Sequence, residues 1–215
     1  MGGIPPTESF STAWVVLLKA PLPGFAKTRL AADLGEAKAL EAYQTLLECL
    51  LDQLACLDRV ELRVTPPESV DWALGMCRRP SWVVGSQGEG DLGDRLRRAV
   101  QSALRHHQAV VVIGADCPYI NHKDITQALE GLITHDAVIG PAEDGGYWLI
   151  GLKRDHPDLF TGISWSESTV YHQTIERLSH AGLTVKRLRS LEDVDEQGAW
   201  CRFLQHQQKS LQDSE

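Results

Sequence analysis

The sequence has no apolar run that could cross a bilayer: the longest near its start, Ala13 to Leu18, falls far short of the ~18–20 residues required, and no basic stretch precedes it. Neither a membrane span nor an export signal is expected, and the chain reads as a cytoplasmic protein. Paired cysteines are also missing. The five present (Cys49, Cys56, Cys77, Cys117 and Cys201) are odd in number and scattered, with no C-x-x-C pair and no zinc-finger spacing. They read as reduced thiols, mostly buried as small hydrophobes. Positive charge is in short supply. With 21 Lys and Arg against 29 Asp and Glu, the formal charge is −8, which excludes a broad electrostatic grip on nucleic acid or anionic lipid. No H-x-x-x-H pair and no G-x-S-x-G elbow occurs, which excludes a helix-borne zinc pair and speaks against an α/β-hydrolase. Repeats, low-complexity tracts and Pro/Gly/Ser-rich interior linkers are absent as well.

What is present is ample apolar material. Of the 215 residues 43% are hydrophobic and 23% charged, enough for one sizeable core. Residues 1–12, with Gly2, Gly3, Pro5 and Pro6, read as a flexible tail, and residues 13–215 as a single domain. Short apolar runs alternate with helical patterns. Strands are expected at Trp14–Leu18, Val60–Val64, Trp82–Val84, Ala109–Ile113, Ala137–Ile139, Gly146–Leu152 and Thr184–Leu188. Helices are expected at about Glu36–Leu57, with an apolar stripe through Leu40, Tyr43, Leu47, Leu50 and Leu54, and at Leu92–His106 and Asn121–Ile133, the last capped by Asn121. Val110–Ile113, apolar at every position, suits a central strand covered on both faces. The alternation predicts an α/β fold, a three-layer α/β/α sandwich with a mostly parallel sheet. Ligands then bind beyond the carboxyl ends of the strands.

The candidate chemistry lies just there. After the first strand, Lys19-Ala-Pro-Leu-Pro-Gly-Phe-Ala-Lys27-Thr28-Arg29-Leu30 gathers three cations in an acidic protein. Pro21 and Ala26 stand where a P-loop needs glycine, so phosphates would be held by the side chains of Lys19, Lys27 and Arg29. The competing reading is a solvated basic turn. Gln87-Gly-Glu-Gly-Asp-Leu-Gly93-Asp-Arg95 precedes a helix; Gly88, Gly90, Asp91 and Gly93 either admit a nucleotide base close to the backbone or form a plain connector. Val111-Val-Ile-Gly-Ala-Asp116-Cys-Pro118 delivers a carboxylate at the end of a buried strand, a natural ligand for Mg²⁺ or Mn²⁺ or else a turn aspartate. In Gly140-Pro-Ala-Glu143-Asp144-Gly145-Gly146-Tyr147-Trp148 two acids meet an aromatic platform. That combination suits hydroxyl recognition by Gly145, Gly146 and Tyr147 with Asp144 or Glu143 as general base, although Asp-Gly-Gly is also hairpin chemistry. Trp165-Ser166-Glu-Ser168-Thr169 reads mainly as helix capping, with acceptor binding by Trp165 as the other reading. In Leu191-Glu-Asp193-Val-Asp195, Asp195 is either a helix cap or a second carboxylate on the metal.

These five segments, in this order, resemble the small bacterial nucleotide-diphospho-sugar transferase-like proteins once grouped as a domain of unknown function (DUF2064), some of them assigned as glycosyltransferases of arsenosugar biosynthesis. The resemblance runs from Lys19 to about Asp195. It implies a glycosyltransferase-A-like fold related to the molybdenum-cofactor and phospholactate guanylyltransferases. By position it implies Lys27 and Arg29 at nucleotide phosphates, Gly88–Gly93 near the base, Asp116 on a divalent cation and Asp195 as the second metal carboxylate. Two departures stand out: Lys19-Ala-Pro replaces the Gly-Gly loop of guanylyl- and cytidylyltransferases, and Asp195-Glu-Gln-Gly-Ala199 replaces their terminal Asp-Thr-x-x-Asp. The expected function is metal-dependent glycosyl transfer from a nucleotide-diphosphate sugar to a small hydroxylated acceptor. The alternatives are nucleotidyl transfer from a nucleoside triphosphate and a non-catalytic nucleotide-binding module. The base, the sugar, the acceptor and the oligomeric state are not legible.

Overall fold

A computed structural model of the chain describes residues 10–165 and 167–212. Most of the expected tail, and Ser166, lie outside the described residues. The strands are β1 (Thr12–Lys19), β2 (Glu61–Thr65), β3 (Val83–Ser86), β4 (Ala109–Gly114), β5 (Ala137–Pro141), β6 (Tyr147–Leu152) and β7 (Val185–Arg187). The helices are α1 (Thr28–Leu34), α2 (Glu36–Leu54), α3 (Val70–Leu74), α4 (Leu92–Leu104), α5 (His122–Thr134), α6 (Val170–His180) and α7 (Gln197–Gln212).

The strands form one sheet in the order β3-β2-β1-β4-β6-β5-β7. All pairs are parallel except the two made by β6, which runs antiparallel to β4 and β5. Alternation along β4 explains why it must be buried on both sides. Val111 and Ile113 pack with Leu47 and Leu50 of α2 and Ala128 and Leu132 of α5. Val110 and Val112 pack on the opposite face with Leu96 and Val100 of α4 and Leu178 of α6. The result is the three-layer sandwich expected from the sequence.

Helix signals hold where their chemistry is local. Asn121 caps α5 through a capping box, its side chain accepting from the Asp124 amide while the Asp124 carboxylate accepts from the Asn121 amide. Three expectations are corrected. The sequence predicts a loop throughout the basic segment after β1, yet its end is helical from Thr28. Thr169, at the N-cap of α6, makes no side-chain cap bond to it. Nor are the cysteines mostly buried, since only Cys117 is; Cys56 and Cys201 are exposed, lying in the turn after α2 and on the outer side of α7. None of the described helices is long and apolar enough to cross a membrane.

Candidate active site

A cavity of about 510 Å³ opens at the carboxyl ends of β1, β2 and β4, beside the start of β6. The edges of its floor are tied down by two buried polar side chains. Tyr43 of α2 donates its hydroxyl to the Lys19 carbonyl and accepts the Lys19 amide, each at 3.0 Å. Gln87, 4% exposed, donates its amide to the Leu18 and Arg63 carbonyls at 2.8 and 3.0 Å, joining the ends of β1 and β2. Burial, with the charges of Asp116 and Asp195, pushes the Tyr43 hydroxyl pKa far up, so this residue is a fixed neutral bracket.

Lys27 stands at the centre. It precedes α1 in a left-handed backbone conformation (φ 51°, ψ 44°), which costs a non-glycine residue roughly 1–2 kcal/mol. The ammonium is buried and donates to Asp116 Oδ1 at 2.5 Å and to Asp195 Oδ1 at 2.7 Å, with the Tyr43 ring 5.7 Å away. Burial opposes its charge, but the two carboxylates outweigh burial and raise its pKa. Desolvation likewise opposes ionisation of Asp116, whose side chain is 57% exposed toward the cavity; Lys27, with Lys19 and Arg29 behind it, overrides this and holds the carboxyl below the usual range.

Asp195 arrives through a strand-like return. Leu191 donates to the Pro141 carbonyl, Glu143 to the Leu191 carbonyl and Val194 to the Asp116 carbonyl, all at 3.0–3.1 Å. Val194 points into the core, so residues 193 and 195 both face the cavity. Arg189, paired through two 2.8 Å bonds with the buried Asp124, anchors the start of this segment. Asp193 therefore joins the site, a residue to which the sequence reading gave no role. Desolvation, reinforced by Asp144 and Asp195, lifts its pKa to about 7, and its Oδ1 is buried without a hydrogen-bond partner.

The remaining expected residues divide. Lys19, Arg29, Asp144, Gly146, Tyr147 and Trp165 line the cavity. Asp144 is held by the Gly146 amide at 2.8 Å, whereas Glu143 is exposed and does not line it. Gly145 stands behind, at φ +93°, where the turn passes against the Ser168 backbone. The glycine loop is not brought into the cavity: Gly88 and Gly90 take positive φ, Asp91 caps α4, and Gly93 packs on Phe160 and Trp165. Its neighbours Gln87 and Arg95 reach the cavity instead. Thr65, Arg95 and Glu167 are further lining residues that motif reading missed, because only the fold brings them together.

The cavity gathers oxygen donors of the kind a divalent cation takes. Asp116 and Asp195 converge on one buried ammonium, Asp144 and Asp193 line the same cavity, and the buried Asp193 Oδ1 accepts no hydrogen bond, so oxygen donors that fit a hard cation are present. Among the described residues no three acid, His or Cys side chains are grouped so that they could hold a metal ion by themselves. Mg²⁺ and Mn²⁺ commonly take one or two protein carboxylates and complete their shell with phosphate oxygens and water.

Comparison with known proteins bears on the fold and the family. The family model described as an uncharacterized protein conserved in bacteria (DUF2064) matches residues 50–167. A crystal structure from Desulfovibrio desulfuricans G20, described as a candidate nucleotide-diphospho-sugar transferase, is 35% identical with a TM-score of 0.80, covering 86% of this chain and 82% of that one. The 4-diphosphocytidyl-2C-methyl-D-erythritol synthase of Anaerococcus prevotii DSM 20548 shares the fold at 11% identity and a TM-score of 0.55, over 90% of this chain and 99% of its own. The 2-phospho-L-lactate guanylyltransferase of Methanothermobacter thermautotrophicus is 26% identical over 122 residues, 56% of this chain. The chain spans about half (53%) of that curated relative's length. With the model matched over more than half of its residues, the chain belongs to the bacterial DUF2064 family.

Proposed function

We propose that the chain is a metal-dependent transferase that moves a sugar from a nucleotide-diphosphate sugar to a small hydroxylated acceptor. The observation that carries the reading is the opposition of charges across one cavity: Lys19 at the end of β1, with Lys27 and Arg29 from the segment after it, faces Asp116 and Asp195 from the segments after β4 and β7. A diphosphate with its cation complements that pattern. Lys19 and Arg29 bind the phosphate oxygens. Asp116 and Asp195 would hold Mg²⁺ or Mn²⁺, which when bound supplies charge neutralisation for the leaving diphosphate.

Asp144, fixed by the Gly146 amide and pressed against Asp193, accepts the proton of the acceptor hydroxyl. Burial and the neighbouring Asp144 carboxyl lift the Asp193 pKa to about 7. Tyr147 and Trp165, edge to face at 6.5 Å between ring centres, form an apolar wall for the acceptor.

A second reading, transfer of a nucleotidyl group from a nucleoside triphosphate, is favoured by the 26% identity to a guanylyltransferase. Phosphorus NMR of the products decides between the two. Release of nucleoside diphosphate from a nucleotide sugar supports glycosyl transfer; release of pyrophosphate from a triphosphate replaces it with the second reading.

A further inference from the structure

We infer that the acceptor carries no net negative charge and is a neutral or cationic hydroxyl compound. This rests on the transferase reading of the same cavity. The cations that line it (Lys19, Lys27, Arg29 and Arg95) all come from the segments following β1 and β3. Arg95, on the first turn of α4, is turned back to the Gly90 carbonyl (3.1 Å), with Gln87 Oε1 at 3.5 Å. Gln87 in turn bonds the ends of β1 and β2, so this guanidinium belongs with the phosphate-binding half.

The other half is built from the β5–β6 turn, the segment before α6 and the return after β7. From Gly114 to the end of the chain, no described lining residue is Lys, Arg or His. Asp116 and Asp195 are committed to Lys27 and the cation, and that still leaves Asp144 and Glu167 lining the cavity together with Tyr147 and Trp165. An anionic acceptor in this half would meet the like charge of Asp144 and Glu167, and none of the half's described lining residues is basic. A polyol or an amino alcohol would find acceptors for its O–H or N–H groups and an apolar face for its carbons. The compound in the guanylyltransferase relative's name, 2-phospho-L-lactate, is a polyanion and is the wrong kind of acceptor for this half.

Calorimetry on the full chain tests this. A nucleoside diphosphate with Mn²⁺ is titrated first; failure at that step counts against the transferase reading itself. Into the loaded chain are then titrated 2-phospho-L-lactate and 1-amino-2-propanol, which has the same three-carbon skeleton and an ammonium group. The amino alcohol should bind more tightly than the phosphate compound, by about fivefold for each unit of like charge avoided. Glu167→Lys should bind 2-phospho-L-lactate about fivefold or more tightly than the wild type does. A salt series on the wild type needs no variant: weak binding of the anion should strengthen, or stay flat, as salt screens repulsion. Tighter binding of 2-phospho-L-lactate than of the amino alcohol, weakening with salt and unchanged in Glu167→Lys, would overturn the inference while leaving the transferase reading in place.

Discussion

Lys27 joins two carboxylates that would otherwise repel one another, and its removal should expose that repulsion. Lys27→Met leaves Asp116 and Asp195 without their buried counter-charge. Breaking a buried pair costs ~3–5 kcal/mol, and the half-exposed Asp116 reduces this to about 1–3 kcal/mol here. Urea unfolding should register the loss, and Mn²⁺ should restore part of it by taking the place of the ammonium. A loss that metal does not touch would argue against a cation site between these acids. Asp193 gives a pH signature. Its folded pKa of about 7 lies above the ~3.9 of an unfolded aspartate. The folded state therefore holds the proton more tightly, and the associated stability is complete below about pH 4 and disappears as pH rises through 7. The wild type should thus lose stability relative to Asp193→Asn between about pH 4 and pH 7 in metal-free buffer. Denaturation of both proteins at several pH values checks the sign; a difference that does not change with pH would place Asp193 in an ordinary solvated setting.

Elements position these residues through backbone contacts that tolerate no added atom. The β5–β6 turn carries Asp144, and its Gly145 pairs a positive φ with close approach to the Ser168 backbone, while its carbonyl accepts from the Tyr171 amide at 2.8 Å. Gly145→Ala should cost about 2 kcal/mol or more and lower turnover, because both the turn and the segment before α6 must shift. Equilibrium unfolding and steady-state rates measure the two effects. At this scale the sequence was largely legible, and for a physical reason: apolar runs bounded by turn residues located all seven strands to within a few residues. Helices α2, α4 and α5 announced themselves by periodicity and, at Asn121, by capping chemistry. Helix α1 did not, since its seven residues follow a Pro- and Gly-rich lead and carry no N-cap side chain. The site was legible where one residue sits at one strand end, as Asp116 does. It was obscure where neighbours decide. Asp193 has a local signal, two acids flanking a core valine in an extended segment, but only the fold brings it against Asp144. The glycines after β3 allow a ligand cradle or a plain connector in sequence alone; in the fold Gly88 and Gly90 take the left-handed region in the turn between Gln87 and Arg95, both of which line the cavity.

Over the whole molecule, the sheet order sets the division of labour. Strands β1 to β3 bring the cations, and β4 to β7 bring the acids and the aromatic wall, so the two halves of the cavity differ in charge although the chain is acidic throughout. The account stands on a nucleotide diphosphate and a divalent cation meeting where those halves join, at Asp116. Thermal unfolding with nucleoside diphosphates, each with and without Mn²⁺, tests this most directly, run in parallel on the wild type and Asp116→Asn. A ligand at about 100 times its Kd stabilises by ~2.7 kcal/mol, a readily measured rise in Tm. The account predicts that at least one diphosphate stabilises the wild type only when metal is present, and that Asp116→Asn abolishes the metal-dependent part. Equal stabilisation with and without metal, or a full metal-dependent shift in Asp116→Asn, would contradict it.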